Sequence, residues 1–436
     1  MIESYYDPNP RREQWTINVA AGDRIRIDSV ASVYHYSILD YIHGTDGEQV
    51  AGYTGGDGTN YDIVQFARAG SHTLDISPWA SNVSGTYTLT LVEDHAAPVV
   101  TYALSPRPNA AGWSRRETTV SVTATDANPI DQFQVQGIPG PNGIATVSTS
   151  FTVPATRWGD YHWSYQAVDR LLNSVSLDST TEPAMLIRMD SVAPELGSPP
   201  AIDGASLRLT PTGTISAVLS WYASDLSGVK RYTLQRSYNN GSTWSGVYMP
   251  PVTDASAFVR KTVEATTGST SIFRVRAIDV AGNLRPWSVS KSFRAQVRQE
   301  GSSAICYGAK VSPNTCGTGA WASASSTGSS GGAVKFSRKF ADTATFTFTG
   351  SGAYFFTTFG PDRGRAVIVI DNTYYGTVEL YSQTRKTRQP VMVSWGFDPT
   401  TTHNVVISVS DRKHNDSSGK RVDIDAFVAI QIPLGQ

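Results

Sequence analysis

The amino-acid sequence predicts an all-β protein made of tandem β-sandwich domains. Three observations carry this prediction. Apolar residues alternate with polar ones in short segments, no stretch shows convincing helical periodicity, and one pattern recurs after roughly 100 residues, the length of a sandwich domain. Alternation bounded by turn-forming residues is typical of half-buried strands, and self-similarity at a fixed period is typical of domain arrays.

The alternation is clear in two segments. Thr-Val-Ser-Val-Thr-Ala at 119–124 places Val120, Val122 and Ala124 on one face of the predicted strand. The segment 215–223 alternates apolar residues with mostly polar partners in the same way. Since successive side chains of a strand point to opposite faces, both segments are expected to cover a core with one face.

The repeat divides the chain into domains. Asp94-His-Ala-Ala-Pro98 recurs as Asp190-Ser-Val-Ala-Pro194, 96 residues later. The segment 165–173 has a similar counterpart at 275–283. Proline fixes its own φ and restricts the preceding residue, so the linkers are expected to be semi-rigid. We predict four domains, at 1–95, 96–192, 193–297 and 298–436.

Four aspartates end strands within the repeated pattern, where side-chain capping of a turn is the ordinary explanation. They are Asp126, Asp169, Asp225 and Asp279.

Composition excludes several classes of partner. The 36 Lys and Arg residues nearly cancel the 37 Asp and Glu residues, and the net charge is −1. This balance gives no general electrostatic attraction to nucleic acid or to an anionic membrane. The longest apolar runs, such as 366–370, are too short to cross a bilayer. No signal peptide is visible at the start, which leaves open whether the chain is a fragment of a longer protein.

The two middle domains resemble known extracellular modules. Residues 228–236, 240–244 and 273–279 carry the resemblance of the third domain to fibronectin type III-like or immunoglobulin-like modules. The second domain resembles bacterial immunoglobulin-like repeats. These resemblances imply spacers and interaction surfaces, with no active site.

The two terminal domains also resemble known modules. Residues 15–27, 69–74 and 85–91 carry a resemblance of the first domain to the pre-peptidase C-terminal domain, a β-sandwich appended to secreted hydrolases. In the last domain, the order and spacing of several residues match a known module: Trp321 and the segments 331–332, 344–350, 360–366, 369–372, 376–381, 403–409 and 422–427. On these residues the domain resembles a galactose-binding-like, carbohydrate-binding jelly roll. The expected architecture is therefore four tandem β-sandwich domains, the last a jelly roll.

Cys306 and Cys316 are the only two cysteines and suit one disulfide that closes a short loop. Two unpaired thiols are the alternative. A zinc site is less favoured, because neither a CxxC pair nor a cluster of histidines accompanies them. A disulfide would indicate an oxidising compartment.

Asp423 and Asp425 are the candidate metal ligands, since carboxylate oxygens suit calcium. In calcium-binding relatives of the jelly roll, an Asp near the final strand helps to hold a structural ion. The alternative is that Asp425 accepts hydrogen bonds from a neighbouring loop. We expect no other cofactor.

The chain is interpreted as non-catalytic. Residues 328–332 match the G-x-S-x-G pattern of a nucleophile elbow, but a Ser/Thr/Gly-rich run precedes them and a strand-like segment follows. An elbow needs a strand before it and a helix after it. The seven histidines show no i, i+4 spacing of a metalloprotease motif.

Exposed aromatic rings can stack on the apolar face of a sugar ring, while polar side chains fix its hydroxyls. The residues chosen as candidate sugar ligands in the last domain are Tyr374, Tyr375, Trp395, Arg363 and Arg365. The alternative for any one of these rings is a place in the sandwich core.

The sequence therefore predicts a non-catalytic adhesion and spacer protein, extracellular or on the bacterial cell surface, whose last domain binds carbohydrate or a cell-surface polymer. One alternative is the accessory C-terminal region of a larger secreted hydrolase. Another is a structural component of a surface layer or phage particle. The ligand and the oligomeric state stay open.

Overall fold

The structure, a computed structural model, describes residues 2–6, 13–31, 37–43, 49–55, 60–76, 85–177, 186–252, 258–312 and 315–432. In these ranges the regular structure is β-strand, together with a 3-10 turn at Ser330–Gly332. The prediction of an all-β fold is confirmed. No helix in the described ranges is long and apolar enough to span a membrane. The chain divides into two compact units, 1–191 and 192–436.

The first half of unit 1 holds two four-stranded sheets, ordered β1-β8-β3-β6 and β2-β7-β4-β5. Their strands are β1 (Ile2–Tyr6), β2 (Glu13–Val19), β3 (Arg24–Ala31), β4 (Ser37–His43), β5 (Gln49–Gly55), β6 (Asn60–Gln65), β7 (Gly70–Ile76) and β8 (Gly85–Glu93). Buried side chains of both sheets, including Ile27, Phe66, Leu74 and Leu89, form one core.

The second half of unit 1 holds the sheets β14-β11-β9, β13-β12-β16-β17 and β10-β18-β15 around a core that contains Phe133 and Trp163. The strands are β9 (Val99–Ser105), β10 (Trp113–Ser114), β11 (Thr118–Thr125), β12 (Ile130–Val135), β13 (Ile138–Pro139), β14 (Thr146–Val153), β15 (Gly159–His162), β16 (Tyr165–Asp169), β17 (Ser174–Leu177) and β18 (Leu186–Met189). Val120, Val122 and Ala124 all face this core, as their alternation predicted.

Polar side chains join the two halves of unit 1. The Asn128 side chain donates to Asp94 (2.6 Å) and accepts from Arg26 of β3 (3.1 Å). Arg24 donates to the carbonyl oxygens of Leu171 and Leu172. The first residue of the Asp94–Pro98 linker is therefore fixed by a hydrogen bond from the second half of unit 1.

The first part of unit 2 is built from a three-stranded sheet, β20-β21-β25, and from strands of a longer sheet. The strands are β19 (Glu195–Leu196), β20 (Ala201–Leu209), β21 (Ile215–Trp221), β22 (Ala223–Ser224), β23 (Val229–Ser237), β24 (Ser245–Val247), β25 (Val259–Ala265), β26 (Thr270–Asp279), β27 (Ser288–Val289) and β28 (Phe293–Gln299).

The second part of unit 2 contains the five-stranded sheet β29-β34-β39-β36-β37. The strands are β29 (Ile305–Tyr307), β30 (Lys310–Ser312), β31 (Thr315–Cys316), β32 (Ala322–Ser325), β33 (Ala333–Ser337), β34 (Thr343–Thr349), β35 (Gly352–Phe359), β36 (Gly364–Ile370), β37 (Thr373–Glu379), β38 (Lys386–Trp395), β39 (Thr402–Lys413), β40 (Val422–Ile424) and β41 (Ala426–Gln431).

One continuous sheet crosses the predicted boundary at 297/298. Its order is β24-β23-β26-β28-β41-β35-β38, with β27 attached to β26. The joint is the antiparallel pairing of β28 with β41, from Arg294 opposite Gln431 to Gln299 opposite Ala426. A division at 297/298 would cut through β28.

Both faces of this sheet are buried at β35 and β41. On one face, Phe355 and Phe427 enter a core shared with the five-stranded sheet, which makes a jelly-roll-like sandwich. On the other face, Phe356 and Val428 enter a core shared with β20 and β21. The Tyr354 hydroxyl donates to the Gly204 carbonyl oxygen and adds a polar contact across that second core.

The predicted disulfide between Cys306 and Cys316 is confirmed, and the described residues contain no free cysteine. Cys306 lies on β29, which pairs with β34 at the border of the five-stranded sheet. The bridge ties the β30–β31 hairpin to that border.

The shared sheet predicts that unit 2 unfolds as one cooperative body. Phe293→Ala, on β28, and Phe356→Ala, on β35, remove side chains from the same core. Each is expected to lower the free energy of unfolding of unit 2 by about 3–5 kcal/mol. Hydrogen exchange of the full chain in increasing denaturant measures this, with exchange rising together over 201–299 and 305–431.

Phe133→Ala, in the core of unit 1, is the matched control and leaves that transition unchanged. Exchange that rises only over 201–299 in Phe293→Ala would contradict the shared sheet.

Candidate functional site

The five-stranded sheet of the jelly-roll-like sandwich has one face in the core and one face turned away from it. Because directly paired residues share a face, the strand registers define the second face. We call it the outer face; its residues are Thr343, Thr345, Thr347 and Thr349 of β34, Thr402, Asn404, Val406 and Ser408 of β39, Arg365, Val367 and Val369 of β36, and Tyr374, Thr377 and Glu379 of β37. It is rich in hydroxyl groups and poor in charge.

A tight hairpin presents the tyrosines at the edge of this sheet. Asp371 and Asn372, between β36 and β37, both have positive φ, 48° and 65°. Two such residues make the type I′ turn that suits a two-residue hairpin. The Asp371 carboxylate fixes the turn, because it contacts His403 Nδ1 at 2.7 Å and accepts from the Asn404 amide at 2.8 Å.

A β-bulge explains why two consecutive tyrosines are both exposed. Ile368 pairs with Gly376 and Val369 pairs with Tyr374, so Tyr375 has no partner residue in the register. Strict alternation would have turned one of the two rings towards the core. With the extra residue, Tyr374 is 65% exposed and Tyr375 is 55% exposed.

Arg365 lies at the other end of the same hairpin. Its Nε donates to Glu379 at 2.7 Å, and both side chains are partly exposed. Val369, the partner of Tyr374, lies four positions after Arg365 on β36, a distance of about 13 Å at the rise of a strand. The tyrosines and the ion pair therefore mark two ends of one surface.

Arg363 lies inside the protein. Only 2% of it is exposed, and its Nη2 donates to Asp423 at 2.6 Å. Asp423 also accepts from Arg421 Nε at 2.5 Å. Ser417 holds the loop around Arg363, because its hydroxyl donates to the Arg363 carbonyl oxygen. Arg363 thus anchors the loop and is not part of the outer face.

Asp423 and Asp425, the candidate calcium ligands, are both fully buried. The two oxygens of Asp423 already accept from Arg363 and Arg421, whose positive charges balance it. Asp425 Oδ1 accepts from the Ser330 amide at 2.9 Å. These contacts match the alternative in which Asp425 accepts a hydrogen bond from a neighbouring loop.

The other aromatic residues of the last domain do not join the tyrosine hairpin in the described structure. Only the backbone of Trp395 is described, at the end of β38, so the predicted role of its side chain lies outside the described residues. Tyr354 is buried, and Trp321 and Phe359 pack against the core. Tyr381 stacks on His414, with ring centroids 4.4 Å apart.

The capping role predicted for the strand-end aspartates is confirmed. Each of the four accepts a hydrogen bond from a backbone amide two to four residues ahead: Asp126 from Asn128, Asp169 from Asn173, Asp225 from Ser227, and Asp279 from Gly282 and Asn283.

In unit 1, Asp94, Asp126 and Asp169 also meet one another, with carboxylate oxygens within 4.8 Å, a spacing that could hold a metal ion. Burial raises the pKa of Asp126 despite the Asn128 hydrogen bond, and the charges of Asp94 and Asp169 raise it further. The three residues belong to the repeated sequence pattern, but their proximity is visible only in the structure.

A stack of arginine and tryptophan side chains is a second feature that the sequence did not reveal. The Arg274 guanidinium lies 4.2 Å from the ring centroid of Trp244 and 4.4 Å from that of Trp287. Arg276 lies 4.4 Å from the same Trp287 ring. Arg274 and Arg276 share one face of β26, since they are two residues apart. These contacts occupy two tryptophans that would otherwise be candidates for ligand stacking.

The 328–332 segment forms a loop and a 3-10 turn that leads into strand β33. The described residues at this place therefore do not form the strand, turn and helix that a nucleophile elbow needs. Ser330 is buried, and its hydroxyl accepts from the Gln299 side chain at 2.9 Å.

No family model matches the chain, and no curated protein matches it. Among solved structures, the chain is similar to the exo-β-1,3-galactanase of Phanerochaete chrysosporium, solved with β-1,3-galactotriose, over 76% of this chain and 82% of the galactanase, with 9% identity and a TM-score of 0.20. Likeness at this level carries no argument about function. The structure itself defines an all-β protein with a jelly-roll-like sandwich in its second unit.

Asp425 predicts a pH dependence of stability. Burial raises its pKa to about 7, against the Ser330 hydrogen bond. The ordinary pKa is about 3.9, so the folded state binds the proton more tightly and stability falls as pH rises from about 4 through 7. Asp425→Asn keeps the acceptor for Ser330 and removes the charge. It is expected to stabilise unit 2 at pH 8 by on the order of a few kcal/mol, measured by denaturant unfolding.

Asp416→Asn, at an exposed carboxylate, is the matched control and leaves the pH profile unchanged. Equal stability of Asp425→Asn and the parent protein at pH 5 and at pH 8 would contradict the buried, protonated Asp425.

The arginine pairing of Asp423 predicts that unit 2 does not depend on calcium. Thermal unfolding with excess EDTA and with added Ca²⁺ is expected to give the same melting temperature for this unit, because Arg363 and Arg421 already neutralise Asp423. A melting temperature that falls with EDTA and is restored by Ca²⁺ would contradict this and favour the calcium site at Asp423 and Asp425.

Proposed function

We propose that the protein is a non-catalytic binding and spacer protein, extracellular or on the cell surface, whose outer face binds carbohydrate or another cell-surface polymer. The observation that supports this most is the pair of exposed rings, Tyr374 and Tyr375, on the edge strand of the jelly-roll-like sandwich. A flat ring held by a rigid hairpin can stack on the apolar face of a pyranose at little entropic cost.

The polar groups of the outer face suit the hydroxyls of a sugar. Threonine hydroxyls can both donate and accept, and Arg365 and Glu379 add one donor and one acceptor group at the far end. The distance of about 13 Å between this ion pair and Tyr374 exceeds one sugar ring. An oligosaccharide or polymer that runs along the hairpin is therefore the proposed ligand.

Other features support the spacer and extracellular parts of the proposal. The Cys306–Cys316 disulfide suits an oxidising compartment. In unit 1, the hydrogen bonds of Asn128 and Arg24 hold two sandwich-like halves together, as a stiff spacer requires. The net charge of −1 gives no general electrostatic attraction to a partner. Selection of the partner is therefore assigned to contacts at the outer face.

A glycan and cell-wall polysaccharide array with the full chain tests the proposal. The full chain is needed because a cut at 297/298 would remove the β28 partner of β41. At least one glycan is expected to bind, and Tyr374→Ala/Tyr375→Ala is expected to weaken that binding about tenfold or more. One stacked ring is worth up to about 1.5 kcal/mol beyond its buried area, and 1.4 kcal/mol corresponds to tenfold.

The matched control is Tyr248→Ala, a tyrosine that is 77% exposed and lies off the outer face. It is expected to bind like the parent chain. Absence of binding to every glycan by the folded parent chain would defeat the proposal, as would equal loss in both variants.

A further inference from the structure

A polar groove of about 330 Å³ opens between β28, β41 and the border of the five-stranded sheet. This volume is at the lower end of the range of ligand pockets. The residues that line the groove include Arg294, Gln296 and Arg298 of β28, Thr347 to Thr349 of β34, and Gln431 of β41. We propose that the groove binds an acidic sugar residue of a polysaccharide through the carboxylate.

The side chains of Arg294, Gln296 and Arg298 lie on the same face of β28, the face that lines the groove. Arg294, Gln296 and Arg298 alternate with Phe293, Ala295 and Val297, and the latter set packs in the core next to β20 and β21. Side chains two residues apart share one face, so the polar set lies on the opposite side. The two guanidinium groups thus lie on one side of the same strand, with an amide between them.

Neither guanidinium is neutralised by a carboxylate of the described residues. Arg294 Nε donates to the Gly268 carbonyl oxygen at 3.0 Å, which leaves its positive charge unbalanced. Arg298 has no hydrogen bond or ion pair to the part of the chain that the structure describes. None of the residues that line the groove is acidic. In a chain of net charge −1, such a pair is a local excess of positive charge.

The chemistry of the groove favours a carboxylate-bearing sugar. Guanidinium groups bind carboxylates through two parallel hydrogen bonds, and such bonds are stronger than those between neutral groups. Gln296 and Gln431 each offer a donor and an acceptor for ring hydroxyls. The groove lies beside Phe346, where β29 ends its pairing with β34 at the border of the sheet.

The groove shares Thr347, Thr349 and Thr402 with the outer face but lies apart from the tyrosine hairpin. Three strand spacings separate β34 from β37 in the five-stranded sheet, which is about 14 Å. The inference rests on the proposed function only in that both sites take polysaccharide, and the arginines of the groove and the tyrosines of the hairpin can be varied separately. Variants at one site therefore leave the other site as an internal reference.

Isothermal titration of the full chain with trigalacturonic acid, and with its neutral methyl ester, tests the inference. The acid is expected to bind more tightly than the ester, and more weakly as salt is raised from 20 to about 150 mM, because salt screens exposed charges. Arg294→Gln/Arg298→Gln is expected to weaken binding of the acid at least tenfold. Melting curves establish that each variant is folded.

Lys230→Gln/Arg231→Gln is the matched control, since it removes two exposed positive charges from β23 in the same unit. It is expected to bind the acid like the parent chain, and so is Tyr374→Ala/Tyr375→Ala. Failure of the parent chain to bind the acid would overturn the inference. So would equal binding of the ester, or undiminished binding by Arg294→Gln/Arg298→Gln. Retained binding of array glycans in that arginine variant would leave the proposed function standing.

Discussion

The burial of one sheet on both of its faces is the constraint on which the rest of unit 2 depends. Strands β35 and β41 send Phe355 and Phe427 into the core of the jelly-roll-like sandwich, and Phe356 and Val428 into the core beside β20 and β21. Burying apolar surface is worth about 25 cal/mol per Å², so a strand that buries both faces gains from each of its side chains. The pairing of β28 with β41 continues this sheet into the first part of unit 2.

The sequence predicted the strands well and their partners less well. Alternation identified half-buried strands such as β11 and β21, because one face of each covers a core. The continuous apolar run Ala426–Ile430 is instead typical of a strand that is buried twice. Its pairing with Phe293–Gln299 joins segments more than 120 residues apart, and no local pattern specifies such a partner.

In the candidate site, too, local sequence patterns did not specify which distant residues a side chain contacts. Tyr374 and Tyr375 were candidate sugar ligands in the sequence, but the bulge that exposes both rings depends on the register of β36 with β37. Arg363 was also a candidate sugar ligand in the sequence. The structure buries it against Asp423, because Gly364 and Gly419 let the loop approach its neighbour closely: a Cβ on either would meet backbone atoms of the facing segment at 2.7–2.9 Å. Contacts of this kind depend on tertiary packing.

Hydrogen exchange of the full chain, with and without its best ligand from the glycan array, measures which surface the ligand covers. We expect added protection in the Gly364–Ile370 and Thr373–Glu379 strands that carry the tyrosine hairpin, and no change in unit 1. Protection of a surface that excludes this hairpin, with the hairpin unchanged, would contradict the assignment of the outer face as the binding site.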